Sequence, residues 1–143
     1  MIRKASYHDA PFIKLLMQKL GYKTSNSLLV EQLTNLFDGI HHEVLVCDDK
    51  DEVTGFAVIH VLPQLAFDGR LLVISYLSVD EQVKEQGIAR ALEIYITDLA
   101  RKRKCERIQV HCAEWRTQAH RFFLGQGYEA YPQYFTKRLM YGE

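Results

Sequence analysis

The run GRLLVISYLSV, residues 69–79, constrains the fold more than any other stretch of the chain. It is almost wholly apolar and rich in β-branched and aromatic residues, so as a strand it has no face to give to water. Such a strand belongs inside a sheet with helices covering both sides. The chain supplies those helices. Phe12, Leu15, Leu16 and Leu20 recur at helical spacing before Gly21, with Ser6 or Asp9 as cap and Pro11 tolerated in the first turn. SNSLLVEQLTNLFDG repeats the pattern with Leu29, Leu33, Leu36 and Phe37 and stops at Gly39. After the apolar strand, Ile88, Leu92, Tyr95, Ile96 and Leu99 make one face of a third helix.

Shorter segments complete the order. Residues 1–5 read as a first strand. HEVLVCDDKDEVTGFAVIHVL holds two β-rich runs around an acidic turn at residues 48–51, a hairpin signal. RIQVHC (107–112) reads as a strand, and RTQAHRFFLGQG as a short helix closed by Gly127. YEAYPQYFTKRLM reads as two strands broken near Pro132. The predicted order is β-α-α-β-β-β-α-β-α-β-β, a mixed α/β fold with a central mixed sheet flanked by helices. With 143 residues, 48% of them apolar, and no linker or repeat, residues 1–143 are expected to form one domain with one core.

Composition removes several function classes. Lys plus Arg and Asp plus Glu are 18 each, so no global field draws the chain to nucleic acid or membrane, and neither is expected as a partner. The basic run at residues 101–104 is accounted for by a helix C-terminus, where cations complement the dipole. Cys47, Cys105 and Cys112 form no CxxC pair and no zinc spacing, and read as buried free thiols. The N-terminus lacks an apolar signal core, so a reduced, cytoplasmic setting is expected. His41 and His42 read as an ordinary loop pair, and no metal site is expected.

The junction VDEQVKEQGIA, residues 79–89, joins the apolar strand to the third helix. A helix start leaves about four backbone N–H groups unpaired and carries the positive end of the dipole, which suits an anion such as phosphate. Gly87 lets backbone approach an oxygen with no Cβ between them, Ala89 keeps the next contact shallow, and Lys84 adds a cation. A turn glycine explains Gly87 equally well on local grounds. The pattern is neither GxGxxG nor GxxxxGK followed by Ser or Thr, so a dinucleotide fold and a nucleoside triphosphatase are both unsupported.

Wider context changes this balance. LSVDEQVKEQGIARALE resembles motif A of the GNAT superfamily of acetyl-coenzyme A-dependent N-acetyltransferases: a strand ending L-x-V, a loop, then (R/Q)-x-x-G-x-(G/A) opening a helix. Leu77, Val79, Gly87 and Ala89 match, and Lys84 stands where Arg or Gln is usual, which keeps the charge and loses the planar fork. RTQAHRFFLGQGY is similar to the family's second coenzyme segment, N-x-x-A-x-x-(F/L)-Y-x-x-x-G-(F/Y), through Ala119, Phe122, Gly127 and Tyr128. The region AHRFFLGQGYEAYPQYFTKRL looks most like the small-amine branch that includes aminoalkylphosphonate N-acetyltransferase.

The resemblance implies acetyl-CoA as cosubstrate and assigns roles by position. The backbone amides of Gln86, Gly87, Ile88 and Ala89 would cradle the pyrophosphate, with Lys84, Glu85 and Arg90 beside them. The strand edge at Leu77, Ser78 and Val79 would pair with the pantetheine amides, and Val79 N–H would donate to the thioester carbonyl. Arg116, Ala119, Phe122 and Phe123 would flank the pantetheine arm and the far end of the coenzyme; Arg116 replaces the usual Asn.

The family reaction is direct attack by a neutral amine, both substrates being held in one complex. Removing a proton from an alkylammonium of pKa about 10.4 at pH 7 costs roughly 4–5 kcal/mol, so a general base matters more than an acid for the thiolate. Both usual positions are altered: Phe123 stands where a tyrosine acid is common, and Tyr76 where some members carry a glutamate base. Candidate replacements are Tyr128 as acid, with Glu114 or His60 as base. Glu114 is equally a loop carboxylate and His60 equally a hydrogen-bonded sheet histidine. His111 ends a strand and His120 lies at helical spacing from Arg116. Tyr76, Tyr131 and Tyr134 are candidates for the acceptor pocket, expected between residues 22–40 and the last hairpin. Asp38, Glu43 and Asp68 are the acids that would draw a cationic amine.

The leading expectation is an enzyme, an N-acetyltransferase acting on a primary amine of a small molecule. A non-catalytic CoA-binding sensor and a protein-amine acetyltransferase are the alternatives, and a homodimer is compatible with the chain.

Overall fold

Five strands form one sheet in the order β1-β2-β3-β4-β5 in the computed structural model, which describes residues 1–82, 87–111, 117–131 and 135–140. β1 (Ile2–Lys4), β2 (His42–Asp49), β3 (Glu52–Leu62) and β4 (Arg70–Val79) are antiparallel neighbours, and β5 (Cys105–Val110) runs parallel to β4. The helices are α1 (Ala10–Lys19), α2 (Asn26–Asp38), α3 (Ile88–Lys102) and α4 (Thr117–Gly125). The mixed sheet and the helix order are those the apolar periodicity predicts. The contacts gather into two compact units, residues 1–111 and 112–143, each described by itself below.

In the first unit, the strands bury both faces. On one face Val44, Val46, Val53, Phe56 and Val58 pack with Ile13 and Leu16 of α1 and Leu29 and Leu33 of α2. On the other, Leu45, Ala57, Ile59, Leu72 and Ile74 pack with Leu92, Ile96 and Ala100 of α3. β4 gives Leu72 and Ile74 to the second core and packs Tyr76 against the first. Tyr95, expected on the buried stripe of α3, is 39% exposed, and Glu93 is buried instead, accepting a bond from Thr97 Oγ1 at 2.8 Å.

Local chemistry sets the element ends. Ser25 Oγ caps α2 by accepting from Leu28 N–H at 3.2 Å. Asp9 precedes α1 without capping it; its carboxylate instead accepts from both terminal guanidinium nitrogens of Arg3 at 2.8 and 2.9 Å and from the Ser6 amide at 2.8 Å. The β2–β3 hairpin turns through Lys50 (φ 52°) and Asp51 (φ 68°), both left-handed, as a two-residue hairpin whose twist matches its strands requires.

In the second unit, α4 closes on Gly127 (φ 93°), with Gly127 N–H donating to Leu124 O at 3.2 Å and Tyr128 N–H to Phe123 O at 3.1 Å. This is the paired bonding of a Schellman cap, completed by the Phe123 and Tyr128 rings, whose centroids lie 5.2 Å apart. The two strands expected after Gly127 are absent from residues 128–131 and 135–140, where Tyr131, Phe135, Leu139 and Met140 stand exposed. Alternating side chains describe a strand's faces, but only a partner makes a strand, and no ladder forms over these described residues. Residues 132–134 lie outside the described residues, Pro132 and Tyr134 among them.

Candidate active site

The two halves of β4 have different edges. Asp80 N–H donates to Thr54 O at 2.8 Å, just beyond the Gly55–Val79 pair. Hydrogen bonding alternates along an antiparallel strand, so Ser78 and Tyr76 also turn their amides to β3, and Leu77 and Val79 turn theirs to the opposite edge. On that edge, among the described residues, the ladder with β5 runs from Arg70 to Ile74–Val110. Between the halves lies a bulge: Val58 faces Tyr76 and Ile59 faces Ile74, which leaves Ser75 as the extra residue. β4 therefore parts from β5 where its own geometry is re-aimed.

The start of α3 lies at the end of this edge. Gly87 is its N-cap at φ 76°, ψ 22°, with no side-chain cap, and its carbonyl accepts from Ala91 N–H at 2.9 Å. A Cβ on Gly87 would meet nothing within 4 Å, so the left-handed backbone is what favours glycine here. Gly55 has the other reason. A Cβ there would sit 2.9 Å from Ile88 Cγ2 and 3.3 Å from Ser78 O, so a bare backbone lets the first turn of α3 rest on β3 beside β4. Among the described residues no side chain caps this helix start, which Gly55 seats against β3 at the end of β4.

His60 lies in β3 on the face that carries Val58, shared with α1 and α2. Its Nε2 is 2.8 Å from Ser75 Oγ, and its Nδ1 is 2.8 Å from Nδ1 of His42, its neighbour across the β2–β3 ladder. Burial first, and the charge of His42 second, hold the His60 imidazole below the ordinary histidine range, so it is neutral at pH 7. His42 was expected in a loop; it opens β2, and the strand register brings it to His60.

Residues 12–128 match the family model of the Acetyltransferase (GNAT) family. The chain belongs to that family. No curated protein matches it. Three solved structures share the GNAT fold at low identity. A transcriptional regulator from Bacillus halodurans C-125 has TM-score 0.89 at 19% identity, over 97% of this chain and 99% of that one. An aminoglycoside acetyltransferase from an uncultured soil metagenomic sample has TM-score 0.81 at 22% identity, over 98% and 96%. A ribosomal-protein-alanine N-acetyltransferase from Brucella melitensis biovar Abortus 2308 has TM-score 0.79 at 16% identity, over 97% and 99%.

The GNAT site residues expected from sequence separate into groups. Leu77, Ser78, Val79, Gly87, Ile88, Ala89 and Arg90 lie along the open edge of β4 and the start of α3. The Ser78 side chain is buried and points at α1, donating to Leu16 O at 3.4 Å, and its backbone is turned to β3, so Ser78 offers a ligand on the other edge neither group. Lys84, Glu85 and Gln86 lie outside the described residues, as do Glu114 and Arg116. Ala119, Phe122 and Phe123 share α4, where Phe123 is buried, edge-on to both Phe122 and Tyr128. Tyr128 thus has a capping role in its own unit. His111 is exposed just after β5 and His120 is half-buried on α4.

The acceptor side is also rearranged. Tyr76 is half-buried against the α1–α2 core, edge-on to Tyr22 at 5.8 Å, and burial raises its phenol above the usual tyrosine range, so it stays protonated. Glu43 does not wait for an amine: Arg103 donates to it at 2.7 Å and Lys4 lies 3.9 Å away, on the face opposite the histidines. Asp38 ends α2 and Asp68 lies in the exposed loop before β4. A cavity of about 570 Å³ at the α1–α2 connection is lined by Lys14, Gln18, Gly21, Lys23, Thr24 and Ser25. Its two lysines favour an anionic group over a cationic one.

Proposed function

We propose that the chain is an acetyltransferase moving the acetyl group of acetyl-CoA to a primary amine of a small molecule, in one complex of both substrates. The observation that carries this reading is the run of outward amides on β4 leading to the uncapped, left-handed start of α3. Its polar groups suit an extended arm of amides ending in phosphates. Gly87, Ile88 and Ala89 would hold the pyrophosphate, joined by Lys84 and Gln86, and Val79 a pantetheine amide. Bound acetyl-CoA supplies an acyl carbon activated as a thioester and a thiolate able to leave.

Strand order refines the donor. With the phosphates at Gly87, the acyl end lies farther back along β4, so we assign the thioester carbonyl to Leu77 N–H rather than to Val79 N–H. Leu77 is two residues from Ser75, about 7 Å of strand, whereas Val79 is about 13 Å away. His60, neutral at pH 7, is the base of this reading, and reaches the edge through Ser75. Glu114 remains a second base candidate. Tyr128 is assigned to the cap of α4 and not to proton donation, because a thiolate of pKa near 8.5 leaves without an acid.

Residues 1–143 are read as one GNAT domain, since the family match runs through the division at residue 111. Among the described residues no helix is long and apolar enough to cross a membrane. The unpaired thiols of Cys47 and Cys105 suit the cytoplasm.

The test follows thiol release from acetyl-CoA over a panel of small amines, with peptide amines beside them. Turnover on small amines supports the reading. Turnover on peptides alone moves the acceptor to proteins, and tight coenzyme binding with no turnover on any amine makes the chain a sensor.

A further inference from the structure

The chain His42–His60–Ser75 crosses three strands on the face shared with α1 and α2. Ser75 Oγ lies 3.3 Å from Val58 O as donor and 2.8 Å from His60 Nε2. If the hydroxyl proton goes to Val58, His60 holds its proton on Nε2, and His42 must donate from Nδ1 to His60 Nδ1. If the hydroxyl proton goes to His60 Nε2, every bond reverses: His60 Nδ1–H donates to His42 Nδ1, and Ser75 Oγ has lone pairs for a new donor. Both directions satisfy the same atoms. One added proton is common to them, because the cation has both Nε2 atoms protonated and a single proton between the two Nδ1 atoms.

A second observation shows that the His42 ring is given its place. Gly39 has φ −85° and ψ 134°, which any residue adopts, yet a Cβ there would lie 2.5 Å from His42 Cδ2 and 3.4 Å from His42 Nε2. The glycine is a space for the imidazole and not a turn requirement. Among the described residues, the titratable groups next to the pair in the chain or on its strand face include Tyr76 of β4, with Tyr22 edge-on to it, Asp38 of α2, which immediately precedes Gly39, and His41, which immediately precedes His42. Glu43 and Arg103 pair on the opposite face.

Resting on the acetyltransferase reading, we propose that Ser75, His60 and His42 form a proton relay that carries the acceptor amine's proton from the parting of β4 and β5 to the outer nitrogen of His42. Ser75 Oγ takes an N–H proton of the ammonium and gives its own to His60 Nε2. His60 passes its Nδ1 proton to His42 Nδ1, and His42 releases its Nε2 proton to water. One proton enters and one leaves, the amine becomes neutral, and the chain keeps no charge. The bond from Ser75 to Val58 describes the array after this passage, and exchange with water restores the other tautomers between turnovers. His42 and Gly39 are positioning residues in this scheme.

The experiment joins imidazole nitrogen NMR on the protein alone with kcat/KM against pH for the wild type, His42→Gln and Gly39→Ala. The relay predicts nitrogen shifts of both rings averaged between tautomers near pH 7. It predicts that both variants lower kcat/KM about tenfold, with coenzyme affinity kept, and move the acid limb of the profile in the same direction. Gly39→Ala alters no titratable group, so a displaced limb there reports the placement of His42. Ring nitrogens fixed in one tautomer, or an acid limb that neither variant moves, would overturn the relay and leave the acetyltransferase standing. Wild-type protein that releases no thiol with any amine overturns both.

Discussion

Two polar clusters sit at opposite ends of β2, about 20 Å apart along the strand, and they differ in kind. At one end Arg3 donates to Asp9 through two nitrogens and to Asp48 through Nε at 3.0 Å. Donors and acceptors there have fixed roles: a guanidinium only gives and a carboxylate only takes. At the other end His42, His60 and Ser75 can each give or take, and the same atoms accept two bond directions. The first cluster fixes β1 against the start of α1. The second leaves protons free to move. Saturated charge makes structure, whereas ambiguous hydrogen bonding makes chemistry.

The largest effect tests the structural end. Asp9→Asn or Arg3→Ala breaks a part-buried pair, in which the Asp9 side chain is 6% and the Arg3 side chain 34% exposed, and should cost about 2–3 kcal/mol in denaturant unfolding, with activity per folded molecule unchanged. The Arg3 hydrogen bonds hold the Asp9 carboxyl below its ordinary range. Its contribution is therefore complete above the unfolded value of about 3.9 and lost as pH falls through the lower folded value. Unfolding midpoints that do not fall in that acid window would remove the pair from the structural account.

Next in size is His60→Gln, which should lower kcat/KM about 10²-fold at pH 7, within the range for a lost general base. Because His60 titrates below ordinary histidine, wild-type activity should fall only as pH drops beneath that range. A variant with the wild-type profile would make the second cluster structural as well. Gly87→Ala comes third. Its left-handed backbone should cost about 1–2 kcal/mol and weaken coenzyme binding more than it lowers the melting temperature. Equal affinity, measured by calorimetry, would detach the helix start from the phosphates. The smallest effect is expected from Tyr128→Phe, which keeps the ring contact of the cap and should change stability by less than about 1 kcal/mol and turnover not at all. Lost turnover would return Tyr128 to acid catalysis.

The sequence reading succeeds where a segment carries its own physics. β4 announces burial on both faces through an almost wholly apolar run, and the helices announce themselves through spacing. It fails where meaning lies in register. Nothing in HHEVLV or FAVIHVL says that His42 faces His60; only the pairing of β2 with β3 does. Ser75 is likewise unreadable, because a bulge belongs to two strands at once. Glu43 looks available until Arg103 arrives from the end of α3. Gly39 reads as a stop signal, and its role as space for a ring is visible only in three dimensions.

The central claim is that β4 presents alternate amides to an acyl-CoA along its open edge. Amide hydrogen exchange, resolved by residue with and without acetyl-CoA, tests it most directly. The account predicts new protection at Leu77, Val79, Ile88 and Ala89, with Tyr76 and Ser78 unchanged because β3 already holds them. Protection spread evenly over residues 76–79, or confined to other elements, would contradict it.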